Sequence, residues 1–155
     1  MQVELTKGRS AVLADIKTLE SVIGQALPVS FLEFVRLHDG AEPETNIFKI
    51  GGTNESGVNG FIPIHEVPIE RANIENLPST AFPIAWAEGG NYVIIDAASG
   101  AIYFWDHEQP TPLIQMASDF AAFMEILEPF DPSSIKLKLS QVKSAWIDPD
   151  FFKSL

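Results

Sequence analysis

Several features are missing from this 155-residue sequence, and each absence excludes a class of function. The chain has no cysteine, which excludes a disulfide framework, a zinc site with cysteine ligands and a thiol nucleophile. No apolar stretch approaches the roughly 18 residues of a membrane-spanning helix, and the segment MQVELTKGRS lacks the apolar run of a signal peptide. We therefore expect a cytoplasmic protein without a membrane span.

Basic residues are absent from the middle of the chain. No lysine or arginine occurs between Arg71 and Lys136, while the net charge of the whole chain is −11. Direct nucleic-acid binding is excluded there, because the carboxylates would face phosphates. The acidity favours a basic protein partner, and it also fits a role in solubility alone. The carboxylates of this interval are Glu75, Glu88, Asp96, Asp106, Glu108, Asp119, Glu125, Glu128 and Asp131.

Two helices are predicted near the N-terminus, at residues 10–24 and 29–38, because apolar residues recur there at spacings of three and four. Ser10 is the expected N-cap of the first helix and Gly24 its end. Pro28 suits the start of the second helix, and Gly40 suits its end. The pair should form a helical hairpin.

The next segment alternates predicted strands and polar stretches. NIFKIGG predicts a short strand, and GGTNESGVNG predicts a flexible loop, because it lacks the Gly-Lys-Ser/Thr of a phosphate-binding loop. FIPIHEV predicts another strand, restricted by Pro63 to an edge or a bulge. Residues 66–76 have room for a short helix.

The clearest sheet signal follows FPIAWAE. Residues 90–96 and 101–106 are rich in β-branched and aromatic side chains, flank a turn at 97–100 and should pair as antiparallel strands. If Asp96 pairs with Ala101, the register sets Tyr92 opposite Trp105, Val93 opposite Phe104, Ile94 opposite Tyr103 and Ile95 opposite Ile102. Both faces of this pair are apolar, so the C-terminal tail, a helix or a partner must cover the second face.

The C-terminal part divides in two. Residues 118–128 predict an amphipathic helix with Ser118 as its N-cap. We expect residues 1–130 to form one domain and residues 131–155 to form an extension that packs on it. The side chains expected to make that contact are Trp146, Phe151 and Phe152.

The run Asp106-His107-Glu108 raises the question of a metal or acid–base site. Neighbouring strand residues point to opposite faces, and no H-x-H or H-E-x-x-H motif supports a metal. A metal-dependent or carboxylate enzyme is therefore only an alternative interpretation of these residues. We expect no catalytic residues, no bound metal and no cofactor.

An interaction surface explains the same residues differently. Aromatic side chains flanked by charge are typical of interface anchors, although the aromatic residues could equally be core. A second acidic surface, built from loop residues, remains open: Glu42, Glu44 and Glu55. The predicted partner-binding residues are Glu88, Tyr92, Asp96, Tyr103, Trp105, Asp106 and Glu108.

Four stretches in order resemble the SUKH superfamily of Smi/Knr-type domains. They are ALPVSFLEFVRLHDG, FIPI, FPIAWAEGGNYVIIDAASGAIYFWDHE and MASDFAAFMEIL, together about residues 10–130. The chain departs from the family pattern at Asp39-Gly40-Ala41, where Asn-Gly-Gly is frequent, and at Gly90-Asn91, where Gly-Asp is common. If the missing aspartate shapes a partner site in the family, that site differs here.

The resemblance implies an α+β fold: a central, mostly antiparallel sheet flanked by the N-terminal helical hairpin and a C-terminal helix. It also implies a non-enzymatic protein-binding function. Many bacterial members resemble immunity proteins, which neutralise toxin domains that are often nucleases. The alternative is a regulatory or scaffold module that binds another cellular protein.

Overall fold

The computed structural model describes residues 4–51 and 54–129, and it is an α+β structure. A helical hairpin precedes the main sheet, and one helix follows it. The helices are α1 (Leu13–Ile23), α2 (Val29–His38), α3 (Val67–Ala72) and α4 (Phe120–Ile126). The strands are β1 (Leu5–Thr6), β2 (Glu42–Pro43), β3 (Ile47–Gly51), β4 (Asn54–Phe61), β5 (Ala81–Ala87), β6 (Asn91–Asp96), β7 (Ile102–Asp106) and β8 (Gln109–Ala117).

The main sheet has six strands in the order β3-β4-β5-β6-β7-β8. Every neighbouring pair is antiparallel. Because the order in the sheet follows the order in the chain, each strand pairs with the strands next to it in the sequence. β1 and β2 form a separate two-stranded sheet. The main sheet curls until β3 and β8 come into contact, and the ring of Phe48 on β3 lies 5.9 Å from the ring of Phe104 on β7. The predicted fold class is confirmed.

The helical hairpin is confirmed, but the predicted start of its first helix is wrong. The N-cap of α1 is Val12 rather than Ser10. The residues before it are extended because the Arg9 N–H donates to the Asp39 carbonyl at 3.1 Å and the Ala11 N–H donates to the Val35 carbonyl at 2.9 Å. Gly24 ends α1 as predicted, in a left-handed conformation with φ 72°.

The predicted pairing of β6 and β7 is confirmed residue for residue. Tyr92 lies opposite Trp105, Val93 opposite Phe104, Ile94 opposite Tyr103 and Ile95 opposite Ile102. Val93, Ile95 and Phe104 belong to the main core, which the helices close. The second face packs against the segment that includes and follows α3, through Ile74 and Leu77. The sequence left room for a short helix at residues 66–76, and α3 with the residues that follow it covers this face.

Two predictions between β3 and β5 are wrong. Residues 54–61 form strand β4 instead of a loop, with Val58 buried at 1% exposure and paired to Ala87. In FIPIHEV only Phe61 belongs to a strand, because Pro63 precedes a short 3-10 turn at Ile64–Glu66 that runs into α3. Strand β8 was missed altogether. It carries Pro110 and Pro112, which suit its position at the edge of the sheet.

Phenylalanine rings fill the space between the sheet and the helices. The ring of Phe120 lies 5.3 Å from that of Phe31, 4.9 Å from Phe34 and 6.1 Å from Phe61, and Phe120 is 1% exposed. Asp119, not Ser118, is the N-cap of α4, because its carboxylate accepts a hydrogen bond from the Ala122 N–H at 2.8 Å. The predicted extension at 131–155 lies outside the described residues, so its packing stays a prediction.

Candidate functional site

The Asp106-His107-Glu108 run forms the turn between β7 and β8. Asp106 is the last residue of β7, and its carboxylate accepts a hydrogen bond from the Glu108 N–H at 2.9 Å. The side chain of Asp106 is 36% exposed and that of Glu108 is 81% exposed. These carboxylates are therefore held at the surface by a local turn.

His107 is tied to the neighbouring strand β6. The side-chain oxygen of Asn91 accepts a hydrogen bond from the His107 N–H at 3.1 Å, and it lies 2.7 Å from the ring Nδ1. The ring nitrogens lie 4.0 Å from the Asp106 carboxylate and 3.9 Å from the Glu108 carboxylate. Within residues 4–51 and 54–129, no group of three His, Asp or Glu side chains is arranged to hold a metal ion.

Glu88 lies beside the same end of the sheet. It begins the 3-10 turn Glu88–Gly90, which connects β5 to β6, and it is exposed. Its carboxylate lies over the backbone of β4: a Cβ added at Gly57 would be 2.9 Å from the Glu88 Oε1. Glu55, Glu88 and Asp106 line one cavity. We call Glu55, Glu88, Asp106 and Glu108 the acidic edge.

Asp96 lies at the other end of β6, away from the acidic edge. It is five residue steps along the strand from Asn91, about 17 Å at roughly 3.3 Å per step. Its carboxylate accepts hydrogen bonds from the Thr80 hydroxyl at 2.6 Å and the Ala98 N–H at 3.0 Å. Asp96 thus shapes the β6–β7 turn, and the fold does not bring it together with Glu88, Asp106 and Glu108.

The three predicted aromatic residues lie side by side on the second face of the sheet. The rings of Tyr92 and Trp105 are 5.4 Å apart, and both residues are half-buried, as is Tyr103. All three pack against the cluster that contains Ile74 and Ile94. The Tyr92 hydroxyl donates to the Glu70 carboxylate, and burial together with Glu70 raises the pKa of Tyr92 to about 12. These rings therefore contribute to a small core as well as to the surface.

The alternative acidic surface does not gather in one place. Glu42 forms an ion pair with Lys7 at 3.1 Å, and both side chains are on the small β1–β2 sheet or next to it. Glu44 is exposed beyond β2. Glu55 alone belongs to the acidic edge. The sequence did not connect it with Asp106, because only the curl of the sheet brings β4 near the β7–β8 turn.

Two concave regions flank the start of β6. The first, of about 570 Å³, lies beside Phe61, Trp86 and Tyr92. The second, of about 470 Å³, opens at the acidic edge. Asn91 lines both. Trp86 was not predicted as a site residue, because its only signal was an aromatic side chain within an apolar run.

A buried carboxyl group, Asp39, was also missed. Asp39 follows α2 and is 5% exposed, and its side chain accepts a hydrogen bond from the Ile64 N–H at 2.9 Å. Its backbone pairs with Arg9. Burial raises the pKa of the Asp39 carboxyl above its usual value, although the Ile64 N–H opposes this shift. Asp39 holds three segments together and has a structural role.

The model of the SMI1 / KNR4 family (SUKH-1) matches residues 11–126. The chain belongs to this family. The SMI1 / KNR4 match runs from just before α1 to the last residue of α4, and it includes all six strands of the main sheet. No curated protein matches the chain. None of the described helices of this SMI1 / KNR4 domain is both long and apolar enough to cross a membrane.

Proposed function

We propose that this SMI1 / KNR4 domain is a non-enzymatic immunity protein, which binds and neutralises a basic toxin domain in the bacterial cytoplasm. The observation that carries the proposal is the acidic edge, which has four carboxylates from three parts of the sheet. Glu55, Glu88 and Asp106 line one cavity, and Glu108 adjoins Asp106 in the same turn. Family membership supports the non-enzymatic, protein-binding class.

Electrostatics provides the physical reason. A nuclease toxin needs a cationic surface to hold its substrate, so an acidic inhibitor can occupy that surface. Long-range attraction raises association rates by roughly ten- to a thousandfold, and the effect falls steeply with salt. Tyr92 and Trp105 add half-buried aromatic surface on β6 and β7, the strands that also carry Asn91 and Asp106.

The test is to search the neighbouring genes for a toxin domain and to measure the kinetics of its binding to this protein. The double variant Asp106→Lys/Glu108→Lys should slow association about tenfold at 10 mM salt, where the Debye length is roughly 30 Å. At 1 M salt, where that length is roughly 3 Å, the difference should nearly vanish. The matched control is Glu33→Lys/Glu125→Lys, which makes the same change in net charge at exposed carboxylates on α2 and α4.

Association that is independent of salt and indifferent to the double reversal would contradict the electrostatic account. If the neighbouring toxin does not bind and the protein instead captures a host regulator, the immunity assignment is wrong. The protein would then be a regulatory or scaffold module.

A further inference from the structure

One side-chain atom of Asn91 contacts His107 twice. The His107 backbone N–H donates to the Asn91 Oδ1 at 3.1 Å, and the ring Nδ1 of His107 lies 2.7 Å from the same oxygen. A backbone N–H can only donate, so the Asn91 atom that it meets must be the oxygen and not the amide nitrogen. That oxygen carries no proton, so the ring Nδ1 must carry one and donate it. The two contacts therefore fix the tautomer of His107, and in the neutral ring Nε2 is an acceptor.

The strand pairing explains why Asn91 can reach His107. β6 begins at Asn91 and the adjacent β7 ends at Asp106, so His107 is the first residue beyond the paired strands. The ring of His107 also lies against the backbone of Gly90, where an added Cβ would be 3.8 Å from Nδ1. The imidazole is thus in contact with two consecutive residues at the start of β6.

The tautomer decides what His107 presents to solvent. Its side chain is 46% exposed, and Nε2 lies 3.9 Å from the Glu108 Oε1. With the proton on Nδ1, Nε2 offers a lone pair, so it has the same hydrogen-bonding character as the carboxylates of Asp106 and Glu108 on either side. With the proton on Nε2, the ring would instead place an N–H donor in the middle of the turn. Asn91 therefore makes all three side chains of the β7–β8 turn acceptors.

We propose that Asn91 is a positioning residue for partner binding, because it keeps His107 in the tautomer whose Nε2 accepts a hydrogen bond from an N–H group of the partner protein. This role was not predicted for either residue. Lysine and arginine side chains offer only N–H donors, so a basic surface is matched by an acceptor and opposed by an outward N–H. The inference rests on the proposed function, because it names the residue that sets the hydrogen-bonding character of a turn in the acidic edge.

The first test is a long-range proton–nitrogen NMR spectrum of the full chain at pH 9, where histidine side chains are normally neutral. The two ring nitrogens give different signals according to which one carries the proton. We expect a protonated Nδ1 in His107 of the native chain and a shift towards the Nε2-protonated form in Asn91→Ala. Asn91→Asp keeps an acceptor oxygen, so it should retain the native tautomer. The rings of His38 and His65 are internal controls, and their signals should not change.

The second test measures how tightly the same variants bind the toxin domain from the neighbouring genes. Asn91→Ala and His107→Phe should each weaken binding by about three- to tenfold, the contribution of one hydrogen bond. The double variant should weaken it no further, because Asn91 acts through His107. Asn91→Asp should bind at least as tightly as the native chain. The matched control is Asn59→Ala, at an exposed asparagine on β4, and it should leave the affinity unchanged.

The inference and the proposed function fail separately. A native His107 that carries its proton on Nε2 overturns the inference, whatever the toxin does. The inference is also wrong if the Asn91 and His107 variants bind the toxin normally, or if their losses add in the double variant. Slowed association of Asp106→Lys/Glu108→Lys would then leave the proposed function standing. If no toxin domain binds the native chain, the immunity assignment is wrong, and the role of Asn91 in binding is wrong with it even when the spectrum shows a protonated Nδ1.

Discussion

Replacing Asp39 should separate its role as a hydrogen-bond acceptor from its charge. Asp39→Ala leaves the buried Ile64 N–H without its 2.9 Å partner. An unsatisfied buried donor costs about 1–3 kcal/mol of stability. For a domain of this size each kcal/mol lowers the melting temperature by roughly 2–4 °C, so we expect a fall of about 2–12 °C. Asp39→Asn keeps an acceptor oxygen and removes the charge that burial disfavours, so it should be at least as stable as the native chain at pH 7.

The raised pKa of Asp39 sets the direction of the pH dependence. The unfolded carboxyl, with its usual pKa of 3.8, ionises at lower pH than the buried one. The unfolded state therefore binds fewer protons between these two values, and the stability from this group falls as pH rises through that window. Below pH 3.8 the contribution is fully present. Above the raised pKa the buried charge lowers the stability by a constant amount, and Asp39→Asn removes this loss.

Urea unfolding followed by tryptophan fluorescence at pH 4 and pH 7 measures both effects. The advantage of Asp39→Asn over the native chain should be larger at pH 7 than at pH 4. If Asp39→Asn at pH 7 loses as much stability as Asp39→Ala, the ionised carboxylate is required and this reasoning is refuted.

Two further predictions concern α4. Asp119→Ala should lower the stability by about 1 kcal/mol, because it removes the N-cap hydrogen bond from the Ala122 N–H, and Ser118→Ala should lower it by less than about 0.5 kcal/mol. Equal losses of stability in thermal unfolding would contradict the assignment of the cap. Phe120→Ala should lower the stability by about 3–5 kcal/mol, because three rings lose a partner, and Phe120→Leu should lower it clearly less. A loss under about 1 kcal/mol for Phe120→Ala in denaturant unfolding would contradict this, because it would mean that the core closes around the smaller side chain.

Local patterns were sufficient for the elements whose neighbours in space are also neighbours in the chain. The register of β6 and β7 followed from a short turn between two apolar runs, since a hairpin turn fixes the register of its strands. β8 was not predicted, because its apolar residues follow two prolines and its exposed and half-buried residues do not alternate. β4 escaped because three of its eight residues are glycine or serine, which are typical of loops.

The candidate site was only partly predictable for a different reason. Glu88, Asp106 and Glu108 were correctly predicted to lie near strand ends, but strands end on two opposite sides of a sheet. Only the strand connections show that Asp96 lies at the opposite end of the strands from these three residues. Bringing Glu55 to the cavity requires the curl of the whole sheet. Asp39 was missed because a polar residue before a glycine is typical of an exposed turn. Its contacts with Arg9 and Ile64 join residues that are distant in the chain.

The meander topology has a consequence for folding during synthesis. Each strand from β4 to β8 can join the one made just before it, so the sheet can grow as the chain leaves the ribosome. The loops to close are short except between β4 and β5, where residues 62–80 intervene. The core cannot close at the same time, because α4 supplies Phe120, Phe123 and Met124 last among the described elements. A nascent chain paused before residue 120 would present Phe31, Phe34 and Phe61 without their cover. The final helix therefore covers these three rings only when synthesis of the described part of the chain is almost finished.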